Sequence, residues 1–145
     1  MDQDIRIGSL HPYYFYDFVV ATHTIGTGPY SQVVTVQTDQ DVPIASPDEF
    51  TAATIGSDSL TLVWNPPPFE ETNGLIQYYS IRVTELETAR LIDLRSNMTR
   101  AVLTNLHPYY TYQCIVAAST IALGPYTDPI TIQLLEEGKA VLSVV

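Results

Sequence analysis

Leu10-His11-Pro12-Tyr13-Tyr14-Phe15-Tyr16 recurs as Leu106-His107-Pro108-Tyr109-Tyr110-Thr111-Tyr112, an offset of 96 residues. The match continues without a gap. Val20-Ala21 meets Val116-Ala117, Thr24-Ile25 meets Thr120-Ile121, Gly28-Pro29-Tyr30 meets Gly124-Pro125-Tyr126, and Thr35-Val36-Gln37 meets Thr131-Ile132-Gln133. About half of the matched positions are identical, which fixes the chain as a repeat of one structural unit. The copies are unequal. The second has the long stretch from Pro47 to Leu103 before it, whereas the first has only nine residues before Leu10. This predicts one complete domain preceded by the back half of another.

Composition says what kind of unit repeats. Ten Tyr, with many Val, Ile and Thr, suit a pleated, half-buried surface, and the prolines and glycines fall between apolar runs where strands turn. Leu60-Thr61-Leu62-Val63-Trp64 alternates, putting Leu60, Leu62 and Trp64 on one face, and Asn65-Pro66-Pro67-Pro68 ends that strand because proline donates no ladder hydrogen bond. Ile76 to Glu85 alternates again, with Tyr79, Ile81 and Val83 as its core face. Phe50–Thr54, Arg90–Leu94, Ala101–Leu103, Tyr110–Ala118 and Ile130–Leu134 complete about seven strands, with Ile121–Gly124 read as a loop. That count and turn frequency predict an all-β sandwich.

The order and spacing of Leu60-Thr61-Leu62-Val63-Trp64-Asn65-Pro66-Pro67, Asn73-Gly74-Leu75-Ile76-Gln77-Tyr78-Tyr79-Ser80-Ile81-Arg82-Val83, Leu106-x-Pro108-x-x-x-Tyr112 and Gly124-Pro125-Tyr126-Thr127 resemble the fibronectin type III family. The resemblance implies an immunoglobulin-like, seven-strand β-sandwich, preceded by a truncated copy of the same fold. Thr35-Val36-Gln37-Thr38 followed by Asp41-Val42-Pro43 is similar to tandem arrays in receptor-type protein tyrosine phosphatases and adhesion receptors. The expected divisions are 1–38 for the truncated domain, 39–46 for a linker, 47–136 for the complete domain, and 137–145 for a tail or the start of a next domain. Expected core residues are Trp64, Tyr79, Leu106, Tyr112 and Val116, with Tyr112 forming a tyrosine corner whose hydroxyl reaches back to upstream backbone. The chain has no Arg-Gly-Asp tripeptide and no Trp-Ser-x-Trp-Ser box, so neither integrin binding nor a cytokine-receptor module has support.

Chemistry-bearing patterns are sparse. Asn97-Met98-Thr99 is a glycosylation sequon between two expected strands. The single cysteine, Cys114, excludes an internal disulfide and a Cys-based zinc site, and reads as a small core hydrophobe. His11 and His107 share one repeat position without converging partners, so they read as turn residues rather than metal ligands. Glu70-Glu71 and Glu136-Glu137 are adjacent pairs on solvated loops, not carboxylates poised across a cleft. Tyr13-Tyr14 and Tyr109-Tyr110 are expected to pack on a sheet edge or neighbouring domain. No catalytic residues, cofactor or metal are assigned, and the segment is not expected to be an enzyme.

The net charge is −10, from 16 acidic and 6 basic residues, which rules out nucleic-acid binding and argues against adsorption on anionic membranes. Expected partners are other proteins, including neighbouring repeats and cell-surface ligands, with no nucleic acid and no direct membrane contact. These features imply a non-catalytic spacer and interaction module in the extracellular part of a membrane-anchored or secreted receptor. The alternative is a structural repeat of an intracellular muscle or cytoskeletal giant. The first copy, if it lacks its front strands, is expected to be poorly stabilised.

Overall fold

The structure is a computed structural model that describes residues 3–144. Strands β1 (Phe15–Phe18) and β2 (Val34–Gln37) pair antiparallel as a separate two-stranded sheet. Two facing sheets follow. One has the order β11-β3-β4-β7, from β3 (Asp48–Ile55), β4 (Leu60–Asn65), β7 (Arg100–Leu103) and β11 (Leu142–Ser143). The other has the order β10-β8-β5-β6, from β5 (Tyr78–Glu85), β6 (Arg90–Ser96), β8 (Thr111–Ser119) and β10 (Ile130–Gln133), with β9 (Leu123–Tyr126) also paired to β8.

Alternation in each strand builds the core between these sheets. Leu60, Leu62 and Trp64 on β4 join Ala101 and Leu103 on β7, and face Tyr79, Ile81 and Val83 on β5 and Tyr112, Cys114 and Val116 on β8. Trp64 packs edge-on against Phe50 and Tyr79, with ring centroids 6.2 and 5.4 Å away. Such aromatic pairs each contribute about 0.5–1.5 kcal/mol beyond the area they bury. The chain is thus an all-β, immunoglobulin-like sandwich.

The repeat is reproduced bond for bond. Tyr16 pairs with Val36 as Tyr112 pairs with Ile132, and Phe18 pairs with Val34 as Cys114 pairs with Ile130. Tyr13 and Tyr109 both have positive φ, 61° and 64°, and their N–H groups donate to the carbonyls of Asp39 and Leu135. Val20 and Val116 each bond Ser31 and Thr127, through N–H to hydroxyl and carbonyl to N–H. What differs is cover. Val116 is 0% exposed and its counterpart Val20 is 71% exposed, because no second sheet lies over β1 and β2 among the described residues.

Four local features depart from the sequence expectations. A one-turn helix, α1 (Phe69–Thr72), follows the proline run. Pro66–Pro68 cannot extend the ladder, the Thr72 hydroxyl donates to the Pro68 carbonyl at 3.0 Å, and Asn73 ends the turn in the left-handed region at φ 58°. Strand β5 starts at Tyr78 rather than Ile76. The expected loop at Ile121–Gly124 gives way at Leu123 to β9, joined to β8 through a bulge between Ala117 and Ser119. Both β9 and β10 run along β8, so they are two pieces of one closing strand, and the sandwich proper keeps seven. Finally, Leu142 and Ser143 fold back to pair with Ile55 and Thr54 at the edge of β3.

Candidate functional site

Three places on this scaffold hold polar groups in defined geometry. The first is the corner entering β8. The Tyr112 hydroxyl accepts the N–H of His107 at 2.8 Å and donates to Glu85 Oε2 at 2.7 Å. The same carboxylate meets His107 Nδ1 at 2.8 Å and accepts from the Thr88 hydroxyl. Glu85 is 0% exposed. Burial pushes its pKa up, but the hydrogen bonds from Thr88, His107 and Tyr112, with the charge of His107, outweigh burial and hold it at about 2. Burial and the bond to Glu85 together push the Tyr112 hydroxyl up to about 12. The arrangement locks a strand end to a corner.

Sequence reasoning placed His107 and Tyr112 at this corner but missed Glu85. A signal was present: Glu85 continues the inward set of Tyr79, Ile81 and Val83, two residues on. A carboxylate in an inward phase needs partners.

Trp64, Tyr79, Leu106, Tyr112 and Val116 all lie inside, each at most 5% exposed. Cys114 is buried beside them, and burial pushes its thiol up to about 12. His11 faces solvent, 5.5 Å from the Tyr14 ring. Glu70 and Glu71 form the first turn of α1, and Glu136 and Glu137 are exposed. Among the described residues no three His, Cys, Asp or Glu side chains converge as a metal site would require. In the same residues no helix is long and apolar enough to cross a membrane.

The second place is the Asn97 turn. Asn97 is exposed at the bend between β6 and β7, next to Met98, which is also exposed. The Ser96 hydroxyl donates to the carbonyls of Met98 and Arg100 and accepts the Met98 N–H, so the bend is fixed while the asparagine side chain stands free of it.

The third is the stretch 39–46, which is laid along the complete sandwich. The N–H groups of Asp41 and Ile44 donate to the carbonyls of Asn73 and Glu71 at 2.8 and 2.9 Å. Asn73 Nδ2 donates to the Val42 carbonyl, Leu75 N–H to Gln40 Oε1, and the Thr120 hydroxyl to the Asp41 carbonyl. Pro43 is buried against Gly124, where an added Cβ would come within 2.8 Å of the proline Cβ. The Tyr14 ring lies 5.8 Å from Phe69 of α1.

Comparison with known proteins accords with this architecture. The fibronectin type III domain model matches residues 45–133. The chain is 32% identical over 126 residues to tyrosine-protein phosphatase Lar of Drosophila melanogaster, and 33% identical over 125 residues to cell adhesion molecule Dscam2 of the same organism. These alignments cover 85% and 81% of the chain but only 6% of each relative. In fold it is similar to domains d3–d4 of the rat CD45 extracellular region, with TM-score 0.71 and 17% identity over 91% of this chain and 70% of that one.

Proposed function

The chain belongs to the fibronectin type III domain family, and from that premise we propose that it is a non-catalytic, extracellular spacer and protein-interaction module of a modular cell-surface adhesion or signalling receptor. The observation that carries the spacer role is the pinned stretch 39–46. Five hydrogen bonds and a buried proline hold it on the complete sandwich, so it fixes a direction rather than acting as a flexible tether. Residues 1–38 are then the back half of one domain, 39–46 the junction, 47–136 the complete domain and 137–145 its tail.

Two further points support the extracellular location. Asn97 is exposed in the bend between two strands, the surface setting in which a sequon is glycosylated. The relatives named above are a tyrosine-protein phosphatase and a cell adhesion molecule, each matched over a small part of its length. The partners on this reading are neighbouring repeats and cell-surface proteins. Nucleic acid and direct membrane contact have no place in it.

Expression with a secretion leader in cultured animal cells tests the location. A glycosidase-sensitive mass increase, lost in Asn97→Gln, is the expected result. Secreted, folded protein without the increase would reverse the location in favour of an intracellular structural array.

A further inference from the structure

The outer face of the β9–β8–β5–β6 sheet carries two of the six cationic side chains of this strongly acidic chain, each set against a tyrosine ring. Arg82 Nε donates to Asp93 Oδ1 at 2.8 Å, and its guanidinium carbon lies 5.8 Å from the Tyr126 ring centre. The Tyr126 hydroxyl is in turn 3.1 Å from the Ser80 hydroxyl. Arg95 differs. Its guanidinium lies over Tyr78 at 4.4 Å and has neither an ion pair nor a hydrogen bond among the described residues. These side chains, with Leu123, line a concavity of about 510 Å³.

We propose that this concavity is a docking site for a partner protein, seating one carboxylate side chain of an extended segment on the Arg95 guanidinium. The proposal deepens the interaction-module reading and rests on it. A guanidinium held over an aromatic face and free of other partners still has N–H groups to give, and these match a carboxylate in a two-point hydrogen bond. Stacking also fixes the rotamers in advance, which lowers the entropy cost of binding. Tyr and Arg together are the side chains that most often dominate interface energy.

Charge selects the occupant. The two arginines and Asp93 leave this face with one net positive charge, within a chain of net charge −10. One uncompensated cation suits one carboxylate. A polysulfated glycan needs many cations and meets long-range repulsion from the rest of the chain, and a second copy brings its own net charge of −10 against it.

The test is an NMR titration of the full chain, following the arginine Nε–Hε signals. The probe is an acetylated, amidated five-residue peptide with one central glutamate between β-branched residues. Saturable shifts at Arg95 are expected, weakened by salt, about tenfold weaker for the glutamine version of the peptide, and lost in Arg95→Ala. Since Arg95 is exposed, that variant should unfold at the wild-type midpoint, and Arg95→Lys should bind between the two. Equal shifts with the glutamine peptide, unchanged binding by Arg95→Ala, tighter binding of a heparin oligosaccharide at the same signals, or shifts produced by raising the chain concentration alone would each overturn the proposal. A chain that is secreted and glycosylated yet silent in this titration defeats the docking site alone. One that is never glycosylated defeats the location and leaves this result standing.

Discussion

Tyr16 and Tyr112 make the same hydrogen bond 96 residues apart, accepting the N–H of His11 at 2.9 Å and of His107 at 2.8 Å, yet the first ring is half-exposed and the second is wholly buried. Only Tyr112 has a second partner, the carboxylate of Glu85. The local sequence Leu-His-Pro-Tyr-Tyr-x-Tyr therefore sets the corner by itself, and the facing sheet decides what the corner is worth. Tyr112→Phe should lower the stability of the sandwich by about 1–3 kcal/mol, since a buried carboxylate loses a donor and the part-buried His107 N–H its acceptor. Tyr16→Phe should change the stability by less than about 0.5 kcal/mol. Urea unfolding followed by Trp64 fluorescence measures both.

The pH dependence follows from Glu85. Its folded pKa of about 2 lies below the ordinary value of 4.5, so the unfolded chain takes up a proton first as pH falls. Its contribution to stability is complete above about pH 4.5 and is lost as pH drops toward 2. Glu85→Gln should destabilise at pH 7, by about 1–3 kcal/mol, and the gap from wild type should shrink across that acid window. A gap that stays constant from pH 7 to pH 2.5 would show that the carboxylate is not held as described.

Cys114 has its thiol in the core, with the pKa pushed up to about 12 by burial. Thiolate is scarce and access is closed, so a disulfide-exchange reagent should label the folded chain only through unfolding. The labelling rate should therefore rise with added urea, and a rate equal to that of a free thiol in native buffer would contradict the placement.

The junction is tested at Gly124. A methyl group there would lie 2.8 Å from the Pro43 Cβ and 3.0 Å from its carbonyl oxygen, backbone that cannot yield cheaply. Gly124→Ala should free the stretch 39–46, seen as faster amide exchange at Asp41 and Ile44, whose N–H groups are bonded to the sandwich. Gly26→Ala, with open space around it, is the control and should change neither amide.

Most of the fold was legible because period-two alternation and the repeat point the same way. Leu60, Leu62 and Trp64, and likewise Tyr79, Ile81 and Val83, read as inward faces without any tertiary information. The tyrosine corner followed from family spacing. What could not be read was set by contacts distant in sequence. The inward phase of Glu85 was legible, but not its partners, which come from His107, 22 residues on, and Tyr112, 27 residues on. Residues 39–46 read as a linker from Pro43 and the flanking Pro47, and nothing local shows that Asn73 and Thr120 hold them. The helix α1 spans a single turn, too short for periodicity to register. Arg95 over Tyr78 joins neighbouring strands, and only the pairing of β5 with β6 brings the two together.

Two strand pairs of matching register differ in cover: a second sheet lies over β8–β10, and none lies over β1–β2 among the described residues. Amide hydrogen exchange on the intact chain tests it most directly. Amides of Tyr112, Cys114 and Val116 should exchange only with global unfolding of the sandwich, while those of Tyr16, Phe18 and Val20 should exchange through local opening, at least about a hundredfold faster. Equal protection in the two sets would mean that the first hairpin has its own cover, and would contradict the account.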